Sequence, residues 1–331
     1  MATTSSFTIS RTEKKPALQG AGYDWAQVVL QLLFLGGLFV DGWAHFHGKV
    51  DDSFFTRWHA MFYGSFGLCA GVLIGTMVVN RARGYLGRAM LPTGYDLTLL
   101  GTVVFAGGGV ADMFWHIAFG IEQDTEALLS PSHLLLAAGM FLTMSGPLRA
   151  AWSRRGTHAP FSAILSLSLT LTGVTFITSY ANPIVDFYFN GTEMVTAIML
   201  TTALTMGFVL LAMRRWTLKP GSLTVLFTLN AAFMSVLQDQ YPLILAWFAA
   251  GVLADGLYAF LRPEVKTPVR VRWFAFWVPV SLFGAYFLTL FWAGDLHWRI
   301  HTWGGGIVLA GVVGLFLSYL LVPPAVPGED K

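Results

Sequence analysis

The stretches Asp41-Gly-Trp-Ala-His45 and Asp112-Met-Phe-Trp-His116 share one spacing, an aspartate followed four residues later by a histidine, and each ends a long apolar run. Residues i and i+4 of a helix lie on one face with Cβ atoms about 5–6 Å apart, so each pair can aim a carboxylate and an imidazole at one point. His59 opens the apolar run after the first pair, and His133 opens the run after the second. In an antiparallel hairpin each returns to the depth of its Asp/His pair and completes a three-donor set. A looser relative, Asp295-Leu-His297-Trp-Arg-Ile-His301, holds two histidines at the same i/i+4 spacing.

Carboxylate and imidazole donors without thiolate suit copper, iron, zinc or manganese, and three protein donors leave a position for water or substrate. The candidate metal ligands are therefore Asp41, His45, His59, Asp112, His116 and His133, with His297 and His301 completing a second metal. In an alternative arrangement each aspartate orients its own histidine from behind. A third possibility is mundane: Asp and His near a membrane interface also cap helices or bond water, and Trp43, Trp58, Trp115 and Trp298 fit an ordinary aromatic belt. His47 is the weakest candidate, because its two-residue offset points it away from His45. Ser130-Pro131-Ser132 reads as an N-cap followed by a first-turn proline, which places His133 structurally.

The elements that must carry these residues are membrane helices. The chain has 331 residues, 55% hydrophobic and 11% charged, and its mean hydropathy is +0.61. Soluble domains carry about 25% charged residues, so the composition is that of a polytopic membrane protein. A net charge of +2 without a basic patch argues against nucleic acid. The single cysteine, Cys69, excludes an intramolecular disulfide or a thiolate metal site. Met1 to Gly22 is polar and lacks the apolar core of a cleavable signal, so the first span is expected to direct insertion.

Apolar segments at 24–47, 55–80, 94–121, 131–152, 159–181, 190–213, 221–238, 241–262, 272–293 and 297–322 predict an all-α fold of about ten transmembrane helices in five hairpins. Residues 1–22 and 323–331 form tails around a single transmembrane domain, 23–322. The break at Gln238-Asp-Gln-Tyr-Pro242 is the least marked. With ten spans, 17 of the 20 basic residues fall on one side and only Lys49, Arg57 and Arg299 on the other. That bias places both termini in the cytoplasm of a prokaryote-like plasma membrane. Seven of the eight histidines then lie at outer helix ends, and only His158 lies inside.

The hairpins 24–80 and 94–152 read as a partial internal repeat, with 272–322 as a looser third copy. Asp51 follows ten residues after Asp41 and Glu122 ten after Asp112, while the partner histidines follow their aspartates by 18 and 21. Gly107, Gly108 and Gly109, and Gly304, Gly305 and Gly306, are read as sites of close helix approach. No P-loop, G-x-S-x-G or C-x-x-C-H sequence is present, which removes support for ATPase, α/β-hydrolase and c-type haem readings.

The sequences D-x3-H-x13-H (Asp41, His45, His59) and D-x3-H-x16-H (Asp112, His116, His133) resemble the D-x3-H-x12-H copper site of the C subunit of copper membrane monooxygenases. The resemblance covers about 20 residues per copy and implies copper and the oxidation of a small apolar molecule. His297-x3-His301 is similar to a zinc-ligand pair of seven-helix amidohydrolases of the alkaline ceramidase type. The first expectation is thus an integral-membrane metalloenzyme doing redox chemistry on a small, lipid-soluble substrate at an outward-opening transition-metal centre. A metal-ion or proton-coupled transporter using the same residues is the second. A haem-binding or assembly subunit of a larger oxidoreductase, with partner subunits, is the third.

Overall fold

The computed structural model describes residues 17–49, 54–120, 128–186 and 189–324. Asp51, Asp52, Glu122, Asp124, Glu126 and the outermost parts of both tails lie outside these residues. Eleven helices follow one another: α1 (Ala21–Phe46), α2 (Arg57–Ala82), α3 (Asp96–Phe119), α4 (Pro131–Met144), α5 (Gly146–Trp152), α6 (Phe161–Ile177), α7 (Gly191–Arg215), α8 (Ser222–Val236), α9 (Pro242–Leu261), α10 (Pro268–Ala293) and α11 (Ile300–Leu321). Among the described residues there is no strand, only a single bridge between His158 and Thr217.

Seven helices (α1, α2, α3, α7, α9, α10 and α11) are long and apolar enough to cross a membrane, consistent with an integral membrane protein. Each of the ten apolar segments contains a helix, but three depart from a simple span. Segment 131–152 holds two helices, α4 and α5, bent by 41°. Gly146 and Pro147 begin α5, and a proline there interrupts the backbone ladder. Segments 159–181 and 221–238 give α6, of 17 residues, and α8, of 15, both shorter than the rest.

α6 is internal. It packs against α1, α4, α5, α7 and α8, and 13 of its 17 residues are buried. Its buried Ser168, Thr170 and Thr172 donate to carbonyls four residues back, which hides each hydroxyl within the helix. A helix that meets protein on several sides can carry small and weakly polar residues among its Leu and Ile, and α6 stays apolar while being short. Asn230 of α8 donates to Thr175 Oγ1 at 2.7 Å, tying α8 to the same core helix.

Two antiparallel hairpins, α1–α2 and α3–α4, flank α6 and carry the Asp/His motifs. α3 and α4 touch at Gly101 and Gly139, where a Cβ on Gly139 would sit 2.5 Å from Phe105 N and one on Gly101 would sit 2.7 Å from Gly139 O. Only glycine permits that approach. Of the Gly107–Gly109 run, Gly108 faces Leu136 and Gly109 faces the Tyr63 ring. Gly306 abuts Ile198, whereas Gly305 meets nothing nearby.

At the far end of the same bundle Asp24 is fully buried. It accepts from Tyr95 Oη at 2.9 Å and pairs with Arg154. Arg149 donates to Gly94 O, Thr98 Oγ1, Leu142 O and Ser145 Oγ. These basic side chains therefore bind the first turns of α1 and α3 to α5, at the opposite end from the histidines.

Candidate metal centre

His59 and His133 occupy the same position in their helices. Thr56 caps α2 and accepts from the His59 backbone N, and Ser130 caps α4 and accepts from the His133 N. Each histidine is thus the third residue of its helix, held by a hydroxyl three residues earlier. Asp41 and His45 lie in the last turns of α1, and Asp112 and His116 in the last turns of α3. Both hairpins so bring three donors to one end of the bundle.

Asp41, His45 and His59 form one group, and Asp112, His116 and His133 another, with the donor atoms of each group within 4.8 Å of one another. In the first, Asp41 Oδ2 lies 3.9 Å from His45 Nε2 and 3.6 Å from His59 Nε2. In the second, Asp112 Oδ2 lies 3.5 Å from His116 Nε2, and Asp112 Oδ1 lies 3.4 Å from His133 Nδ1. Direct hydrogen bonds would close to about 2.7–3.2 Å. Two donors bound at about 2.0–2.2 Å to one tetrahedral ion stand roughly 3.3–3.6 Å apart. The observed separations lie in or just above that second range.

Hydrogen bonding on the far side of the rings sharpens the point. His59 Nδ1 lies 2.6 Å from Phe54 O, and His116 Nδ1 lies 3.2 Å from Gly120 O. A carbonyl only accepts, so each Nδ1 carries a proton, and Nε2, an acceptor in the neutral ring and a donor in the imidazolium, is the nitrogen that faces a carboxylate oxygen. Two acceptors face to face repel unless a cation or a proton lies between them. An N–H bonded to a backbone carbonyl is also the usual support of a metal-bound imidazole. Gly120 provides that carbonyl with φ 88° and ψ 174°, a backbone region essentially confined to glycine.

Support beyond the histidines differs between the groups. Ser132 Oγ donates to Asp112 Oδ1 at 2.9 Å, and Ser130 Oγ lies 2.7 Å from His133 Nδ1. Asp41 Oδ1, by contrast, is buried without a hydrogen-bond partner among the described residues. An unmet buried acceptor costs about 1–3 kcal/mol and calls for an ion or water. Ser132, Gly120, Phe54 and Thr56 were not singled out by the sequence. Thr56 carried a signal, an N-cap residue three positions before His59, while the 20-residue separation of Ser132 from Asp112 carried none.

Both groups line a single cavity of about 110 Å³. The Phe54 ring bridges them, its centroid 4.9 Å from that of His59 and 6.1 Å from that of His116. Tyr63, one turn beyond His59, forms part of the wall, and the rest is apolar, chiefly Leu38, Phe105, Leu136, Met140 and Phe176. At its floor Phe34, Phe62, Phe66 and Phe105 cluster, mostly tilted or edge to face, with ring centroids 4.4–5.6 Å apart.

The structure therefore brings six of the eight predicted ligands together and leaves two apart. His297 and His301 are exposed and do not line the cavity. The His297 ring lies 3.8 Å from that of Trp298, and its Nδ1 is 3.0 Å from Asp295 O. Among the described residues no three-donor set forms around either. Their hairpin, α10–α11, packs against α7 and α9, away from α1–α4, so equal spacing did not become proximity. His47 turns from the site, as its offset implied, and meets Asp239 Oδ2 at 3.0 Å. Asn190 and Glu193 form a capping box at the start of α7. No family model, curated protein or solved structure matches this chain.

Proposed function

We propose that this chain is an integral-membrane metalloenzyme with a paired Asp/His centre that opens to the outer side and acts on a small apolar molecule. The observation that carries the reading is the placement of His59 Nε2 and His116 Nε2 3.6 and 3.5 Å from carboxylate oxygens, each ring held from behind by a backbone carbonyl at Nδ1. Six donors on one cavity leave space for substrate beside the ligands, and apart from those donors and Tyr63 the wall offers nothing to recognise a charged or strongly polar molecule. A bound copper, iron or zinc ion would supply Lewis acidity or electron transfer, and oxidation is the favoured version given the apolar wall. The protein's own part is to fix the ring tautomers through Phe54 O and Gly120 O and to hold the substrate dry.

In the same reading the chain crosses the membrane ten times, with both termini inside and α1–α2 and α3–α4 as copies of one unit. α6 and α8, about 25 and 23 Å long at 1.5 Å per residue, serve as crossings because they lie within the bundle, where chain ends can meet protein in place of lipid. Transport of a metal ion or proton is the second reading, favoured by the buried Asp24, Gln27 and Gln31 on the inner half of α1. Those groups are engaged with Tyr95, Tyr23 and Thr143, and the clustered phenylalanines separate them from Asp41.

Elemental analysis of the purified protein tests the centre. Retained copper, iron or zinc that His116→Ala removes is the expected result, and a metal-free protein that takes up none on incubation refutes it.

A further inference from the structure

The two donor sets derive from equivalent helix positions yet are supported unequally, and one residue accounts for much of the difference. Counting from the caps Thr56 and Ser130, the second helical residue is Trp58 in α2 and Ser132 in α4. Trp58 turns away and donates through Nε1 to Lys49 O at 2.9 Å. Ser132 turns inward and donates to Asp112 Oδ1 at 2.9 Å.

We propose that Ser132 makes the sites unequal: the Asp112–His116–His133 set binds the first ion tightly, and the Asp41–His45–His59 set binds a second, exchangeable one. This rests on the metal-centre reading above. Two donors of the second hairpin have their own support, Asp112 from Ser132 and His116 from Gly120 O. In the first hairpin, among the described residues, only His59 is held, by Phe54 O. Asp41 Oδ1 has no partner among the described residues, and the His45 side chain, 26% exposed, lies 3.9 Å from Asp41. Burial runs the same way, with the Asp112 and His116 side chains 3% and 5% exposed against 12% and 13% for Asp41 and His59.

Donors already fixed by hydrogen bonds lose less freedom when an ion binds, and removing such an outer partner commonly lowers metal affinity by about 10–100-fold. The under-supported set keeps a carboxylate able to swing between one-oxygen and two-oxygen ligation. An ion there exchanges faster and is the one on which ligands from the cavity can displace water.

The test is titration of the full-length, metal-stripped protein in detergent with Co²⁺, followed by equilibrium dialysis and by the visible absorption of the bound ion. Wild type is expected to take two ions in steps at least tenfold apart. Ser132→Ala should weaken the tighter step by about 10–100-fold and leave the weaker one in place, whereas Ser132→Thr keeps the hydroxyl and the separation. His59→Ala should abolish only the weaker step and His116→Ala only the tighter one. Should Ser132→Ala fail to fold, Ser132→Thr and the two histidine variants still decide the order. Two ions of equal affinity in wild type, or loss of the tighter step in His59→Ala, overturns the inequality and leaves the metal centre standing. No Co²⁺ uptake at either set overturns both.

Discussion

His59 and His116 each give the Nδ1 proton to a backbone carbonyl, which leaves Nε2 as the nitrogen that faces a carboxylate. Burial makes the arrangement consequential, since the His116 and Asp112 side chains are only 5% and 3% exposed and water cannot fill the gap freely. His116→Ala should therefore empty the second set, whereas His158→Ala and His301→Ala should leave metal content unchanged; elemental analysis of the three variants decides. Gly120 gives a subtler check. A side chain there disfavours φ 88° and moves the carbonyl that holds His116. Gly120→Ala is expected to lower metal affinity about tenfold, in the manner of a lost supporting hydrogen bond, with the helical circular dichroism of wild type. An unchanged affinity would remove the tautomer argument for that ring.

Helix pairs set whether donors that are correctly spaced in sequence actually meet. The α3–α4 contact at Gly101 and Gly139 holds Asp112 and His133 across the hairpin, and overpacking a tight contact costs roughly 1–3 kcal/mol. Gly139→Leu should lower the melting temperature and weaken the second set more than the first, measurable in one Co²⁺ titration alongside a thermal melt. A different link joins α1 to the turn before α9, where the His47 ring and Tyr241 Oη hold the Asp239 carboxylate below its usual range. A depressed carboxylate contributes above its unfolded value of about 3.9, and the contribution is lost as pH falls through that value and below. Hydrogen exchange at 236–243 should consequently rise in wild type only below about pH 4, and Asp239→Asn should exchange fast and without that pH dependence. Equal exchange in both proteins at neutral pH would mean that the link holds nothing.

The whole molecule separates its chemistry by side. Arginines gather at the end marked by Arg149, Arg154 and Asp24, and the Asp/His donors gather at the other, with clustered phenylalanines between. In a membrane the basic end is expected to remain inside. A cysteine introduced at Gly48 should react with a membrane-impermeant reagent in intact cells, and one at Gly156 only after lysis. Reaction of both, or of neither, would sink the ten-crossing topology.

Sequence alone determined the helical class, the positions of the ten apolar segments and the two three-donor sets. Each of these is written in local terms: apolar run length, i/i+4 spacing, and a cap three residues before a histidine. Apolar run length located these segments but not what neighbours decide, so the internal position of α6 and the bend after Met144 were not foreseen. Level along the bundle was legible too, because a helix and its antiparallel return place Asp41 and His59, or Asp112 and His133, at one end of their hairpin. Lateral position was not, since level constrains a residue along one axis and packing sets the other two. That is why His297 and His301, at an equivalent spacing, lie apart, while Ser132, with no short-range signal, reaches Asp112. The unmet Oδ1 of Asp41 likewise exists only in three dimensions, because having no partner depends on every helix that packs around it.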